Sequence, residues 1–347
     1  MGVLKIHGLI RLDQFWPRGK SAADVSKIKI TVDNNSFEFK KSENADFEVI
    51  SIFNEAYTGQ GRKKQKLIKR GMQIEARLQG ADAPELHYKL WGPTPTKHPT
   101  KKGNLLGIDY EQLILINNSA DFRQPMAETA SVKLLELLSK NAKGGQVACT
   151  FVSEVNSPED ACDVYGRFVG DVIIEVKSKR VCINHWLLEK ALAFPALYSG
   201  MAVNEVKNVL DAAQKGRDTK SGVYALYKDY FGVFDNKLRY RNPATISKSG
   251  TSAAMDKGHL VHPKIYRRWC VYHIYKMAKV DIGTFGEYLK ACGDMFYYTI
   301  DFLKGAAAKP QQHYLHDVVK GNRLIVPVQD IVFIEKEATI VQGDGDE

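Results

Sequence analysis

The 347-residue chain predicts an α+β fold, with a strand-rich first part and a mostly helical C-terminal domain. Two observations carry this. Lys27 to Val32 alternates polar and apolar residues, and Phe47 to Phe53 and Ile74 to Leu78 look similar, which is the period of half-buried strands. Met126 to Ala142, Ile183 to Ala193 and Val203 to Gly216 then read as helices between and after further strand-like runs. Short strands of this kind with packed helices suit a small β-barrel of the oligonucleotide-binding type.

Each element has its own signals. Gln124-Pro125 opens the first helix, where proline is tolerated because the first helical N–H has no partner to lose. Leu134, Leu135, Leu137 and Leu138 give that helix a core-facing stripe, and Gly144-Gly145 ends it. Arg239 to Ser252 has the Asn, Pro, Ser and Gly content of a linker, placed at 231–252. Pro263 to Ala278 and Phe285 to Gly305 look helical beyond it, and Arg323 to Ile334 looks like one or two strands. The expected organisation is a first domain over 1–230, the linker, and a C-terminal domain over 253–347.

Two short segments point to chemistry. Ala76-Arg-Leu-Gln-Gly-Ala-Asp-Ala-Pro-Glu85 places Arg77 at the end of a strand and Asp82 and Glu85 in the following loop. Asp163-Val-Tyr-Gly-Arg167 places a second arginine on a tight turn entering another strand. Hydrolysis of a phosphodiester needs a carboxylate to take a proton from the attacking water. It needs guanidinium forks to match the charge growing on the equatorial oxygens. A hard divalent cation with oxygen ligands can bridge phosphate and water. Glu85, Arg77, Arg167 and Asp82 supply one residue type for each need. Singly, each also reads as a salt-bridge partner or a turn residue; the joint pattern favours catalysis.

At these residues the chain resembles the staphylococcal nuclease (thermonuclease) family, over roughly residues 1–230. The strand arginine, the Asp82-Ala83-Pro84-Glu85 loop and the Asp163-Val164-Tyr165-Gly166-Arg167 turn match that family's signature in order. The resemblance implies a staphylococcal nuclease-like barrel and a hydrolase cutting DNA, with RNA as an open second substrate, to leave 3′-phosphate and 5′-hydroxyl ends. By the same resemblance Arg77 and Arg167 clamp the scissile phosphate and Glu85 is the general base. Asp82, the backbone carbonyl of Ala83, and Asp24 hold a calcium ion, with Mg²⁺ or Mn²⁺ as alternatives. Tyr165 lies beside the nucleotide, and Tyr198, Lys63 and Lys64 are assigned to substrate binding.

The chain also departs from the family. Ala22-Ala23-Asp24-Val25 stands where members usually carry Asp-Gly-Asp-Thr, so one carboxylate and one hydroxyl are missing, and Asp13 is an alternative ligand. Insertions at about 33–71 and 87–123 interrupt the pattern. Within the first, Gly59 to Gly71 carries six basic residues and no acidic one. It reads equally as a solvated hairpin tip or as an arm tracking phosphates. The Pro- and Thr-rich stretch from Trp91 to Gly103 reads as an irregular loop. In the C-terminal region, Tyr266 to Lys276 interleaves basic and aromatic residues. That pattern suits either a nucleic-acid grip or, with more weight, an amphipathic helix burying its aromatics. His259, His262, Cys270 and His273 fit no standard zinc-finger spacing.

Composition agrees with a nucleic-acid partner. A net charge of +9 suits a polyanion. Hydrophobic residues make up 44%, enough for real cores. The cysteines, five in number and widely spaced, argue against a disulfide framework and for a reducing compartment. Neither a signal-peptide core nor a membrane-length apolar run is seen, so a cytoplasmic protein with no membrane partner is expected. Two other functions compete with the nuclease. One is a non-catalytic nucleic-acid-binding protein on the same barrel. The other is a defence or mobile-element effector whose C-terminal domain recruits partners or forms a homo-oligomer.

Overall fold

The computed structural model describes residues 2–15, 25, 27–41, 46–47, 51–55, 63–67, 71–86, 124–155, 161–163, 167–227, 259–277, 279, 281–321 and 323–334. The chain is α+β and divides into two compact units. One is built from Met1–Ala81 and Ser131–Leu187, the other from Asp82–Ala130 and Leu188–Ile334.

The first unit holds β1 (Gly2–Arg11), the four-residue helix α1 (Leu12–Phe15), β2 (Lys27–Lys41), β3 (Asp46–Phe47), β4 (Ser51–Glu55), β5 (Lys63–Leu67) and β6 (Gln73–Leu78). After β7 (Gly80–Asp82) and α2 (Ala127–Asn141), the chain returns with β8 (Gln146–Val155), β9 (Phe168–Val176) and β10 (Lys179–Cys182). Strand β1 pairs with both β2 and β8, so the order β1-β2-β6-β9-β8 closes on itself as a five-stranded barrel. All its pairings are antiparallel except β6 with β9. Such a barrel is compatible with the oligonucleotide-binding type and removes free sheet edges. Alternate residues face inward. Leu4, Ile6 and Ile10 of β1 are buried with Ile28 and Ile30 of β2, Ile74 and Ala76 of β6, and Val172 and Ile174 of β9.

Closure depends on Gly8. The β1–β2 register shifts between Ile6 and Gly8, from Phe37 to Val32. A Cβ at Gly8 would lie 2.5 Å from the Thr31 carbonyl oxygen, so no other residue fits without moving the backbone. The first insertion is thus partly continuous strand: β2 runs on to Lys41 and returns along Gly2–Ile6. The stretch expected as one strand over Phe47 to Phe53 instead gives the end of β3 and the start of β4, which belong to different sheets. β4 and β5 form a separate hairpin.

The expected first helix is found as α2, with Leu134 and Leu138 fully buried and Leu135 and Leu137 half-buried. The expected second helix is shorter, since α3 spans Ile183–Glu189 and Ala191 takes a left-handed φ of 53°. That turn lets the chain re-enter extended structure as β11 (Phe194–Tyr198). Helix α4 (Val203–Asp218) buries Val206, Val209, Ala212, Ala213 and Gly216, one face at helical spacing. A four-residue helix, α5 (Val223–Leu226), follows.

The linker expected at 231–252 and the second insertion at 87–123 lie outside the described residues. Beyond them come α6 (Pro263–Met277), α7 (Phe285–Cys292), β12 (Met295–Tyr298) and α8 (Thr299–Phe302). Short strands β13 (His313–Tyr314), β14 (Val319–Lys320), β15 (Arg323–Leu324) and β16 (Ile331–Phe333) complete the second unit. The expectation of one helix over Phe285 to Gly305 is corrected. Thr284 and Glu287 cap α7 at its start, and Gly293 at φ 62° ends it in the left-handed conformation. The aromatic run Met295–Tyr298 then pairs with β16 and β13. Strand β11 pairs with β16 in parallel, so sequence on either side of 231–252 shares one sheet. A core of Val261, Ile265, Tyr266, Trp269, Cys270, Phe285, Leu289, Phe296, Leu315 and Phe333 holds these elements together.

Candidate active site

In the barrel unit, strand geometry puts the two arginines on one surface. Ile74, Ala76 and Leu78 of β6 point inward, so Arg77 points outward. Phe168 of β9 points inward, so Arg167 just before it and Val169 point the other way. The parallel register sets Ala76 beside Phe168 and Arg77 beside Val169. Arg77 on β6 and Arg167, one residue before the start of neighbouring β9, therefore lie toward the outer side of the barrel. Arg167 is fixed by its own turn. Its backbone N–H donates to Asp163 Oδ1 at 3.0 Å, its Nε donates to Asp163 Oδ2 at 2.8 Å, and the Asp163 N–H closes onto the Arg167 carbonyl. Tyr165 lies outside the described residues, as does Asp24. Asp13, the alternative ligand, is exposed and held by Arg11 at 2.8 Å. Lys63 and Lys64 lie on β5, in register with Glu55 and Asn54.

The carboxylates belong to the other unit. Asp82, Ala83 and Glu85 are all buried, Asp82 and Glu85 to 8% exposure. Isolated charges at that depth are costly unless paired. Their partner is Arg267, on α6. Its Nη2 donates to Asp82 Oδ2 at 3.1 Å and its Nη1 donates to Glu85 Oε1, so one guanidinium bridges both acids. Burial pulls the Arg267 pKa down, but Asp82 and Glu85 outweigh it and hold the group well above its ordinary value. The Glu85 loop is tied down as well. The Glu85 N–H donates to Gln124 Oε1 at 2.9 Å, the Gln124 N–H donates to the Glu85 carbonyl at 2.7 Å, and Gln124 Nε2 donates to the Val261 carbonyl at 2.9 Å.

Tyr198 and His262 interact electrostatically with this cluster, and Arg268 follows Arg267 on α6. Tyr198 lies at the end of β11, with its ring 6.1 Å from Phe333 and 4.9 Å from Lys264 Nζ. His262 is 1% exposed between Phe194 and Phe333, and its Nδ1 accepts from the Lys264 N–H. Burial, partly opposed by Asp82, pushes its pKa down to about 4, so it is neutral at neutral pH. Arg268 grips Asp294 with two bonds of 2.6 and 2.7 Å. The interleaved stretch from Tyr266 is thus a core helix. Tyr266, Trp269, Cys270 and Tyr275 are buried, while both arginines make ion pairs.

Sequence reasoning missed Arg267. It lies 185 and 182 residues from Asp82 and Glu85, and no local pattern encodes so distant a contact. The only signal was the Arg-Arg pair inside an aromatic helix. Also missed was a trio in the barrel unit. Oxygen, sulfur and nitrogen atoms of Asp171, Cys182 and His185 all lie within 4.8 Å of one another. Burial and the Asp171 charge push the Cys182 thiol up to about 12, so it is not a thiolate nucleophile at neutral pH. Cys182-x-x-His185 was visible in the sequence, but Asp171 joins it only through strand pairing.

Among the described residues, no helix is long and apolar enough to cross a membrane. Comparison with models of known protein families finds no match, and comparison with curated proteins finds none.

Proposed function

We propose that the chain is a nucleic-acid phosphodiesterase of the thermonuclease type, with its two key carboxylates restrained by Arg267. The observation that carries this reading is the pair formed by Arg77, outward on β6, and Arg167, at the entry to its parallel neighbour β9, in a closed five-stranded barrel. Two guanidinium groups so placed are suited to neutralising a phosphate in its transition state. Glu85 is the general base, and Tyr198, Lys63 and Lys64 contact nucleic acid.

The same resemblance calls for calcium on Asp82 and the Ala83 carbonyl. The donor chemistry is right for a hard cation, since both are oxygen ligands. The arrangement is not, because the Arg267 guanidinium already neutralises Asp82 and Glu85. In this arrangement Arg267 competes with a cation for Asp82, and its bond to Glu85 Oε1 makes Glu85 a weaker base. Activity should therefore rise when Arg267 withdraws.

That same pairing favours a second reading, in which the barrel binds nucleic acid without cutting it and Arg267 is a permanent structural partner. Cleavage of single- and double-stranded DNA and of RNA, with calcium, magnesium or EDTA, separates the two. The expected result is cation-dependent cutting by wild type that is lost in Glu85→Gln with binding retained. Binding without cutting under every condition, in wild type and in Arg267→Gln, would support the binder instead.

A further inference from the structure

Asp171, Cys182 and His185 come from three elements of the barrel unit and converge for reasons visible in the backbone. Gly170 and Val172 point into the barrel, so Asp171 and Ile173 face outward on β9. Cys182 pairs with Ile173, which sets it diagonal to Asp171 on the same face, with its sulfur within 4.8 Å of the Asp171 carboxylate. His185 follows three residues later, in the first turn of α3.

Asn184 fixes this geometry. It is fully buried, and its side chain brackets Asp171: the Val172 N–H donates to Oδ1 at 3.1 Å, and Nδ2 donates to the Gly170 carbonyl at 3.0 Å and the Gln79 carbonyl at 2.8 Å. The start of α3 is thereby locked to the strand that carries Asp171. Outer-shell bonds of this sort are what hold ligand sets in place.

We propose that Asp171, Cys182 and His185 form a binding site for a zinc-class metal ion, with a fourth position open to water. One sulfur, one imidazole nitrogen and one carboxylate oxygen match the donors zinc takes, with bonds of about 2.0–2.3 Å that place neighbouring donors somewhat under 4 Å apart. The observed spacing within 4.8 Å needs only small side-chain shifts to close on an ion. All three residues are half-buried, which leaves solvent access for the remaining position. Calcium is a poor occupant, since it selects all-oxygen sites. The site shares no residue with the Asp82 and Glu85 cluster.

Cobalt titration of the reduced, chelator-stripped full-length protein tests this, because cobalt substitutes for zinc and thiolate ligation gives a charge-transfer absorption. Wild type is expected to bind one equivalent with that band, to release it to zinc, and to keep it in excess calcium. Cys182→Ser should lose the band and weaken binding by at least the ten- to hundredfold that loss of even an outer-shell partner costs. Cys162→Ser should keep both. If Cys182→Ser does not fold, as judged by circular dichroism, His185→Gln decides: a tenfold or greater loss of affinity supports the site, and unchanged affinity overturns it. No charge-transfer band in wild type, or a band retained in folded Cys182→Ser, also overturns it.

Discussion

Replacing Arg267 by glutamine should make the protein less stable and more active. The guanidinium bridges two carboxylates whose side chains are 11% and 9% exposed, while its own side chain is 30% exposed. Removing one partner of a fully buried pair costs about 3–5 kcal/mol, whereas an exposed pair is worth about 0–1 kcal/mol. A bridge between these limits stabilises the closed arrangement by about 2–3 kcal/mol. If cutting requires Arg267 to leave Asp82 and Glu85, its removal lifts that penalty, which corresponds to a rate gain of about 30- to 150-fold. The assay is initial-rate cleavage of a labelled oligonucleotide at sub-saturating calcium, run with thermal unfolding of the same samples. Arg267→Gln should show faster cleavage, saturation at lower calcium and a lower Tm. Arg267→Lys, which keeps the charge without the fork, should fall between. A variant with lower Tm and unchanged cleavage would refute the restraint, and one as inactive as Glu85→Gln would make Arg267 part of the machinery.

Three other outcomes follow from packing and titration. His262 is buried with a folded pKa of about 4, below its ordinary 6.5, so its contribution to stability is full above pH 6.5 and lost as pH falls toward 4. The loss is about 3 kcal/mol, and His262→Phe, placed between Phe194 and Phe333, should flatten that part of a Tm-versus-pH curve. Gly216→Ala in α4 should destabilise by about 1–3 kcal/mol although alanine normally favours a helix, because the new Cβ would lie 2.0 Å from the Leu188 carbonyl oxygen; a rise in denaturant midpoint would contradict the packing. Asn184→Ala should cost about 2–4 kcal/mol through the buried backbone groups it leaves without partners, and an unchanged midpoint would show that water replaces it.

Local chemistry was legible in the sequence, and distance was not. The helices over 127–141, 203–218 and 263–277 announce themselves by spacing of apolar residues, and each is found within a residue or two of its expected ends. Met295–Tyr298 reads as helix in the sequence because a short aromatic run has no period of its own, and only pairing with β16 decides it. Arg77 falls near the end of a strand and Arg167 on the turn entering another, as their motifs suggest, yet whether Arg167 meets a phosphate or Asp163 depends on side-chain geometry that a motif does not carry. Arg267 lay beyond reach for the same reason as Asp171: its meaning comes from the fold that brings its partners to it.

The parallel pairing of β11 with β16 has a consequence for how the chain reaches this fold. Phe194 to Leu197 is fully buried, and on its β16 side it gains a neighbour only when Val332 has been synthesised. At ordinary rates of translation that wait is on the order of ten seconds. Until then an apolar strand with unmet hydrogen-bonding groups is exposed to other nascent chains. Fragments ending before Ile331 should carry this edge permanently, so they should accumulate as aggregates while full-length protein stays dispersed. Assembly of this unit is thus timed by its last strand.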